Sequence, residues 1–266
     1  MRVAVLADIH GNAHALEAVL ERAESQRVDQ IVVAGDTVGL GPNSKACWDR
    51  VMKLGCPILR GNHERNLYTF GTPEGTELKE ERFKPLAYDY AQFTEADINA
   101  VRALPLTYSL PDLLIVHALP HDDRGEVPKG TSEAELRNHF AAFKERFIVR
   151  GHNHRYYTLS WDERTLYTIG SLGCSFDANR EAAYAILEQT LNGWQLEPHS
   201  VTYDVEAAVA QFDNGYLEGG YPMSLLFRQQ LIAGKSTVMP FFKRYGQRLE
   251  QNDITLEQAV LEFLDS

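Results

Sequence analysis

The stretch Arg2-Val3-Ala4-Val5-Leu6-Ala7-Asp8-Ile9-His10-Gly11-Asn12 decides how the chain is read. An unbroken apolar run at Val3–Ala7 suits a short strand buried on both faces, since a half-exposed strand would alternate. The run then breaks abruptly into Asp8 and His10, and apolar residues at Leu16, Val19, Leu20 and Ala23 follow at helical spacing. Strand, polar turn and helix form one unit, and the rest of the chain can be searched for its repetition.

The unit recurs. Ile31–Ala34 ends in Gly35-Asp36, and a helix fits about Ser44 to Leu54. Pro57–Leu59 reads as a third short strand, ending in Gly61-Asn62-His63. Leu113–Val116 ends at His117, and Phe147–Val149 at Gly151-His152-Asn153-His154. The segment from about Phe70 to Leu104 is polar and helical in pattern, after a loop at Gly71 to Gly75. Leu166–Ile169 and Ala183–Leu187 read as late strands, with Trp194–Val201 returning as a hairpin across Asn192-Gly193. From Val205 on the pattern is helical, divided by Pro222 and Ala233-Gly234 into three helices. Strands alternating with helices indicate α/β architecture.

Bulk properties narrow the function. A net charge of -11 argues against a basic nucleic-acid face. Cys47, Cys56 and Cys174 are an odd count without paired spacing and read as free thiols, which points to a reducing, cytoplasmic location. No apolar stretch approaches the length of a membrane span.

Strand ends are where ligands bind in α/β sheets. Each of the five strands ends in groups able to bind a metal or move a proton: Asp8 and His10, Asp36, Asn62 and His63, His117, and His152 with His154. Taken singly, each has a plainer use. Asp8 can cap the next helix, Asp36 can form a turn, and Asn62 can cap a helix running from His63. A lone His117 is an ordinary core residue, and His152 with His154, two apart, can be a structural pair. Five such coincidences would have to hold independently. Imidazole, carboxylate and amide oxygen together suit Mn²⁺, Fe or Zn²⁺. Two ions close together need a shared ligand, and Asp36, isolated behind Gly35, suits that role. Gly35, Gly61 and Gly151 are expected to let the backbone turn sharply beside the ions.

The ordered set Asp8-x-His10, Gly35-Asp36-x-x-Gly39, Gly61-Asn62-His63-Glu64, His117 and Gly151-His152-x-His154 resembles the calcineurin-like metallophosphoesterase signature over about residues 1 to 175. Asp8-Ile9-His10-Gly11-Asn12 and Gly170-Ser171-Leu172-Gly173 are similar to turns of its small bacterial and archaeal phosphodiesterases, although Ile169 stands where those carry a proline. The resemblance implies two packed mixed β-sheets flanked by helices, in four α/β/β/α layers, over residues 1–202. The helical residues 203–266 would be an extension packed on the same domain, as a cap or a homo-oligomer contact. It further implies one metal on Asp8, His10, Asp36 and His154, and another on Asp36, Asn62, His117 and His152, with Mn²⁺ first and Fe, Zn, Ni or Co as other occupants. A bridging hydroxide would attack a phosphate mono- or diester, with His63 as general acid or transition-state stabiliser. The family's protein phosphatases carry Asp-Arg-Gly after the bridging aspartate. Here Thr37-Val38-Gly39-Leu40-Gly41 has no arginine, so the resemblance implies a small-molecule ester. Non-catalytic scaffolds on this fold tend to lose the strand-end histidines, all of which are present here, and its nucleases carry extra capping parts.

Overall fold

A computed structural model describes residues 1–266. In chain order the elements are β1 (Arg2–Leu6), α1 (Ala13–Ser25), β2 (Gln30–Val33), α2 (Ser44–Met52), α3 (Asn62–Thr69), α4 (Lys84–Tyr90) and α5 (Glu95–Arg102). Then come β3 (Thr107–Leu110), β4 (Leu113–Val116), α6 (Glu133–His139), β5 (Phe147–Arg150), β6 (Tyr156–Trp161), β7 (Arg164–Ile169), β8 (Ala182–Thr190) and β9 (Gly193–Val201). The chain closes with α7 (Val205–Ala210), α8 (Tyr216–Gly219), α9 (Met223–Ala233), α10 (Val238–Glu250) and α11 (Leu256–Leu264). No helix is long and apolar enough to cross a membrane.

Two mixed sheets form the centre, one in the order β2-β1-β8-β9 and the other β3-β4-β5-β7-β6. The period of two in each strand sorts side chains between layers. Val3, Val5 and Ala7 of the first strand region meet Leu113, Ile115 and Val149 in the core between the sheets. Ala4 and Leu6 point the other way, onto Leu16, Val19 and Ala23 of α1. On the far side, Leu114, Val116 and Ile148 pack under Leu136 and Phe140 at α6. An all-apolar strand is therefore what this position demands, because both of its faces are covered. The order of layers is helix, sheet, sheet, helix, as the resemblance implied.

Several sequence expectations need correction. Pro57–Leu59 is not a strand but a single bridge, with Ile58 paired to Val33. Val33 N donates to Pro57 O and Leu59 N to Val33 O, but Pro57 has no N–H to extend the ladder. The hairpin turn is Leu191-Asn192, because Gly193 already pairs with Thr190. The Thr190 hydroxyl accepts from Asn192 N and donates to Gly193 O, closing the loop one residue early. The edge strands β3 and β6 were not expected; their alternation of exposed and covered residues resembles a loop in composition. Five helices, not three, follow Val205.

Parallel pairing sets the direction of the strands. β1 lies parallel to β2, and β4 parallel to β5, so their C-terminal ends emerge together. The C-terminal helices have their own core around Leu226, Phe241, Tyr245 and Val260. They are tied to the helices that flank the sheets, α7 against α1 and α9 against α4.

Ile115 is fully buried between the sheets, whereas Leu191 is 106% exposed at the hairpin tip. Ile115→Ala should lower the unfolding free energy in urea by about 2–5 kcal/mol. Leu191→Ala should stay within about 0.5 kcal/mol of wild type. Equal losses would mean the inter-sheet core is misplaced.

Candidate metal centre

The loops after β1, β2, β4 and β5 and the first turn of α3 bring all eight expected residues to one end of the sheets. Nitrogen or oxygen atoms of Asp8, His10, Asp36 and His154 lie within 4.8 Å of one another, as do those of Asp36, His117 and His152. Asn62 completes the second group, its Oδ1 lying 2.9 Å from His152 Nδ1 and 3.2 Å from His117 Nε2. Asp36 belongs to both groups. Its Oδ2 is 3.7 Å from His10 Nε2 and 3.4 Å from His117 Nε2, while Oδ1 accepts the His63 N–H at 2.8 Å.

The imidazoles are held from behind. His10 Nδ1 contacts Val38 O at 3.3 Å, His117 Nδ1 contacts Ala34 O at 2.9 Å, and His154 Nδ1 contacts Cys174 O at 2.5 Å. Carbonyl oxygen can only accept, so each Nδ1 carries the hydrogen and each Nε2 presents a lone pair. His152 is reversed, with Nε2 toward Glu126 Oε1 at 3.2 Å and Nδ1 turned inward. The inward atoms then face one another as acceptors. His10 Nε2 and His154 Nε2 are 3.0 Å apart, and His117 Nε2 and His152 Nδ1 are 3.2 Å apart. Two lone pairs at that distance repel unless a cation or proton lies between them. Outer hydrogen bonds that fix the tautomer in this way are usual for metal-ligating histidine.

Protons cannot balance all of these groups. Burial drags His10 well below its ordinary value and His154 down to about 3. Burial also works against charged His117, but Asp36 outweighs it and raises the ring to about 9. Burial pushes Asp8 up to about 8, although His117 pulls it back. For Asp36 burial is overcome by His117 and His63, and the carboxyl sits well below its usual range. Without metal, the centre is thus an ionised Asp36 beside a protonated His117.

The backbone is strained to achieve this. Asp8 (φ 57°), His10 (49°), Asp36 (53°), His152 (70°) and His154 (55°) all occupy the left-handed region. Each costs an L-residue about 1–2 kcal/mol. Cross-loop bonds hold them there, including Asp8 N to Gly35 O at 3.1 Å, His10 N to Asp36 O at 2.9 Å and His152 N to Asp8 Oδ2 at 2.9 Å. Gly61 and Gly151 serve proximity more than turning. A Cβ on Gly61 would collide with Asp36 Oδ1, and one on Gly151 with Asp8 Oδ2.

His63 joins neither group. It sits in the first turn of α3, with its ring edge-on to His10 at 4.8 Å between centroids. Burial lowers its pKa.

Three supporting residues escaped the sequence reading. Buried Glu64 accepts N–H groups from Asp36 (2.8 Å), Thr37 (2.7 Å) and Gly61 (2.8 Å), binding the second loop to the start of α3. At the third position of that helix it makes only the acidic half of a capping box, since Gly61 at the cap has no side chain to return the bond, and an acid at that position was the available signal. Arg150, fully buried at the end of β5, donates to Ala118 O (2.9 Å) and Gly125 O (3.2 Å), and so clamps the loop after His117. A charge closing an apolar strand was its signal. Glu126, behind His152, had none.

Comparison with known proteins gives the family and the fold. The sequence pattern of the calcineurin-like phosphoesterases matches residues 1–156. The chain belongs to that family. Among solved structures it is similar to a metallophosphoesterase from Sphaerobacter thermophilus, with 26% identity and a TM-score of 0.71 over 88% of this chain and 100% of that one. A hypothetical protein from Pyrococcus horikoshii shares the fold, with a TM-score of 0.73 at 20% identity over 89% and 99% of the two chains. An uncharacterized protein from Methanocaldococcus jannaschii is 39% identical over 62 residues, a match covering 23% of this chain and 26% of that one. The family match ends before β7, and so leaves out the C-terminal helices.

Glu64→Ala removes no member of the cluster but leaves three buried N–H groups without an acceptor. It should cost about 3 kcal/mol or more of stability and lower the metal content of the purified protein. Calorimetry with elemental analysis checks both. Wild-type values would show that Glu64 does not hold the loops together.

Proposed function

We propose that the chain hydrolyses a small phosphate mono- or diester using two divalent ions. One would be held by Asp8, His10, Asp36 and His154, the other by Asp36, Asn62, His117 and His152. The observation that carries this reading is the buried pair His10 Nε2 and His154 Nε2, 3.0 Å apart, with both outer nitrogens already committed to carbonyl acceptors and both rings kept neutral by burial. The donor set of imidazole, carboxylate and amide oxygen fits Mn²⁺, with Fe, Zn, Ni or Co as alternatives. When bound, such a pair supplies Lewis-acid stabilisation of the phosphoryl oxygens and a hydroxide nucleophile near neutral pH.

The chain's own residues do the rest. Asp36 shares one oxygen between the two groups and so sets their separation. With only Asp8 and Asp36 opposing two divalent charges, the centre is locally positive and can attract phosphate although the chain carries -11. That overall charge disfavours a nucleic-acid duplex as substrate. His63, beside the cluster but outside it, faces the departing oxygen. Its lowered pKa makes the neutral ring the dominant form at neutral pH, so it acts as a hydrogen-bond donor there. Residues 203–266 are taken as an extension of the same domain, in keeping with the bond from Gln230 Nε2 to Cys174 Sγ at 2.7 Å.

Chelation should abolish hydrolysis of bis-p-nitrophenyl phosphate and Mn²⁺ should restore it; activity that survives chelation would end the two-metal reading. His63→Ala should retain metal yet lose about 10²–10⁴-fold in rate on an alkyl phosphate. Its loss on p-nitrophenyl phosphate should be smaller, because that leaving group needs little help. Equal losses on both substrates would remove His63 from the leaving-group role.

The pH dependence of metal uptake has a definite sign. His117 (about 9) and Asp8 (about 8) both hold protons in the metal-free protein at neutral pH. Binding must release them. Mn²⁺ affinity should therefore climb from pH 6.5 towards pH ~9, with proton release visible calorimetrically in buffers of different ionisation enthalpy. A pH-independent affinity would contradict this assignment.

A further inference from the structure

The loop after β4 touches the cluster twice. It leaves from His117 and returns at Glu126, whose carboxylate meets His152 Nε2 at 3.2 Å and Asn153 Nδ2 at 2.7 Å. Between those two points stands Arg124. The loop is fixed there by its own bonds. Leu119 N donates to Asp122 O at 2.9 Å, Asp122 Oδ1 accepts the Arg124 N–H at 2.9 Å, and buried Arg150 grips Gly125 O at 3.2 Å.

The Arg124 side chain crosses to α3, where its Nη2 donates to Asn66 Oδ1. Asn66 lies one helical turn beyond Asn62 and three residues after His63, so its side chain neighbours both. His63 and Asn66 also border one cavity of about 240 Å³, so this face of α3 is open to a ligand. Burial does most to lower the His63 pKa, and the Arg124 charge acts in the same direction. The guanidinium therefore stands within electrostatic reach of the residue assigned to the leaving group.

The protein does not answer the charge of Arg124. Its loop carries three acids, and each is engaged elsewhere. Asp122 accepts the Arg124 backbone N–H, Asp123 pairs with Arg60 at 2.8 Å, and Glu126 stands behind His152. An exposed arginine ordinarily swings free in water. This one is exposed but tied to a neutral amide, which orients the guanidinium without discharging it. Asn66 takes one of five N–H donors, and those left over match the oxygens of a phosphate in shape and charge.

We propose that Arg124, oriented by Asn66, binds a charged oxygen of the substrate phosphate and so makes a dianionic monoester the preferred substrate. A diester carries one charge fewer, and its second substituent replaces the oxygen that would meet the guanidinium. This rests on the phosphoesterase reading above and narrows its substrate class.

The test compares wild type with Arg124→Gln and Asn66→Asp, each as the full chain loaded with Mn²⁺. Asn66→Asp puts a carboxylate where the amide stood and so pairs the guanidinium off. Neither residue is buried, and both variants should keep the wild-type metal content. Both should bind inorganic phosphate about tenfold more weakly, or worse, by isothermal titration calorimetry. Arg137→Gln, which removes the same charge from α6, should bind phosphate as wild type does. In kinetics, KM for p-nitrophenyl phosphate should rise in step with the phosphate affinity lost, while kcat and the KM for bis-p-nitrophenyl phosphate change little. The proposal is overturned if wild type binds no phosphate, if Arg124→Gln binds it as wild type does, if Arg137→Gln weakens it equally, or if KM rises alike for monoester and diester. Monoester turnover with phosphate affinity unaltered in both variants would refute the role of Arg124 alone. Arg124-dependent phosphate binding without turnover of any ester would refute the phosphoesterase reading and leave the anion site standing.

Discussion

Everything at the mouth of this fold follows from bringing electron-pair donors together where water cannot screen them. Four imidazoles, two carboxylates and an amide converge from five separate stretches of chain. Asp36 and protonated His117 attract each other, but the lone pairs of His10 and His154 repel in the absence of a cation. The rings nevertheless cannot turn away, because Val38, Ala34 and Cys174 carbonyls and the Glu126 carboxylate hold their outer nitrogens. The fold thus spends stability on preorganisation. Left-handed backbone at five site residues adds strain of the same sign, and the compensating bonds come from neighbouring loops and from Glu64 and Arg150. Cation binding would release the repulsion while leaving the bonds in place.

The two sheets supply the rigidity this arrangement needs. Their shared core of alternating Val, Ile and Leu side chains fixes the strand ends relative to each other. A loop anchored at only one strand could relax away from the cluster. Here the loop after β1 is bonded both to the loop after β2 and to the turn after β7, through Leu172 N to Ala7 O and Gly173 N to Asp8 O, each 2.9 Å. The C-terminal helices reach the same loops from the other side, since Gln230 contacts Cys174, whose carbonyl orients His154. Frame, cluster and cavity are consequently coupled through a few short bonds.

The sequence exposed the cluster more readily than the sheet. Asp8, Asp36, His117 and His152 each interrupt an apolar run, and that contrast survives in one dimension. β3 and β6 went unseen because edge strands such as Tyr156–Trp161 mix exposed polar with covered aromatic residues, as loops also do. Pro57–Leu59 was over-read for the opposite reason, since apolar composition does not report a missing N–H. The hairpin turn moved by one residue because a threonine hydroxyl outweighed the Asn-Gly preference. Glu64 stood inside a recognised stretch but had no visible task until Asp36 and Thr37 were placed above it.

The central claim is that these donors are arranged for two cations sharing Asp36. Counting ions per chain by native mass spectrometry under saturating Mn²⁺ tests it most directly. The account predicts two per wild-type chain and loss of both from Asp36→Ala, with the fold intact. A well-folded wild-type chain that retains no ion, or an Asp36→Ala chain that still holds two, would contradict it.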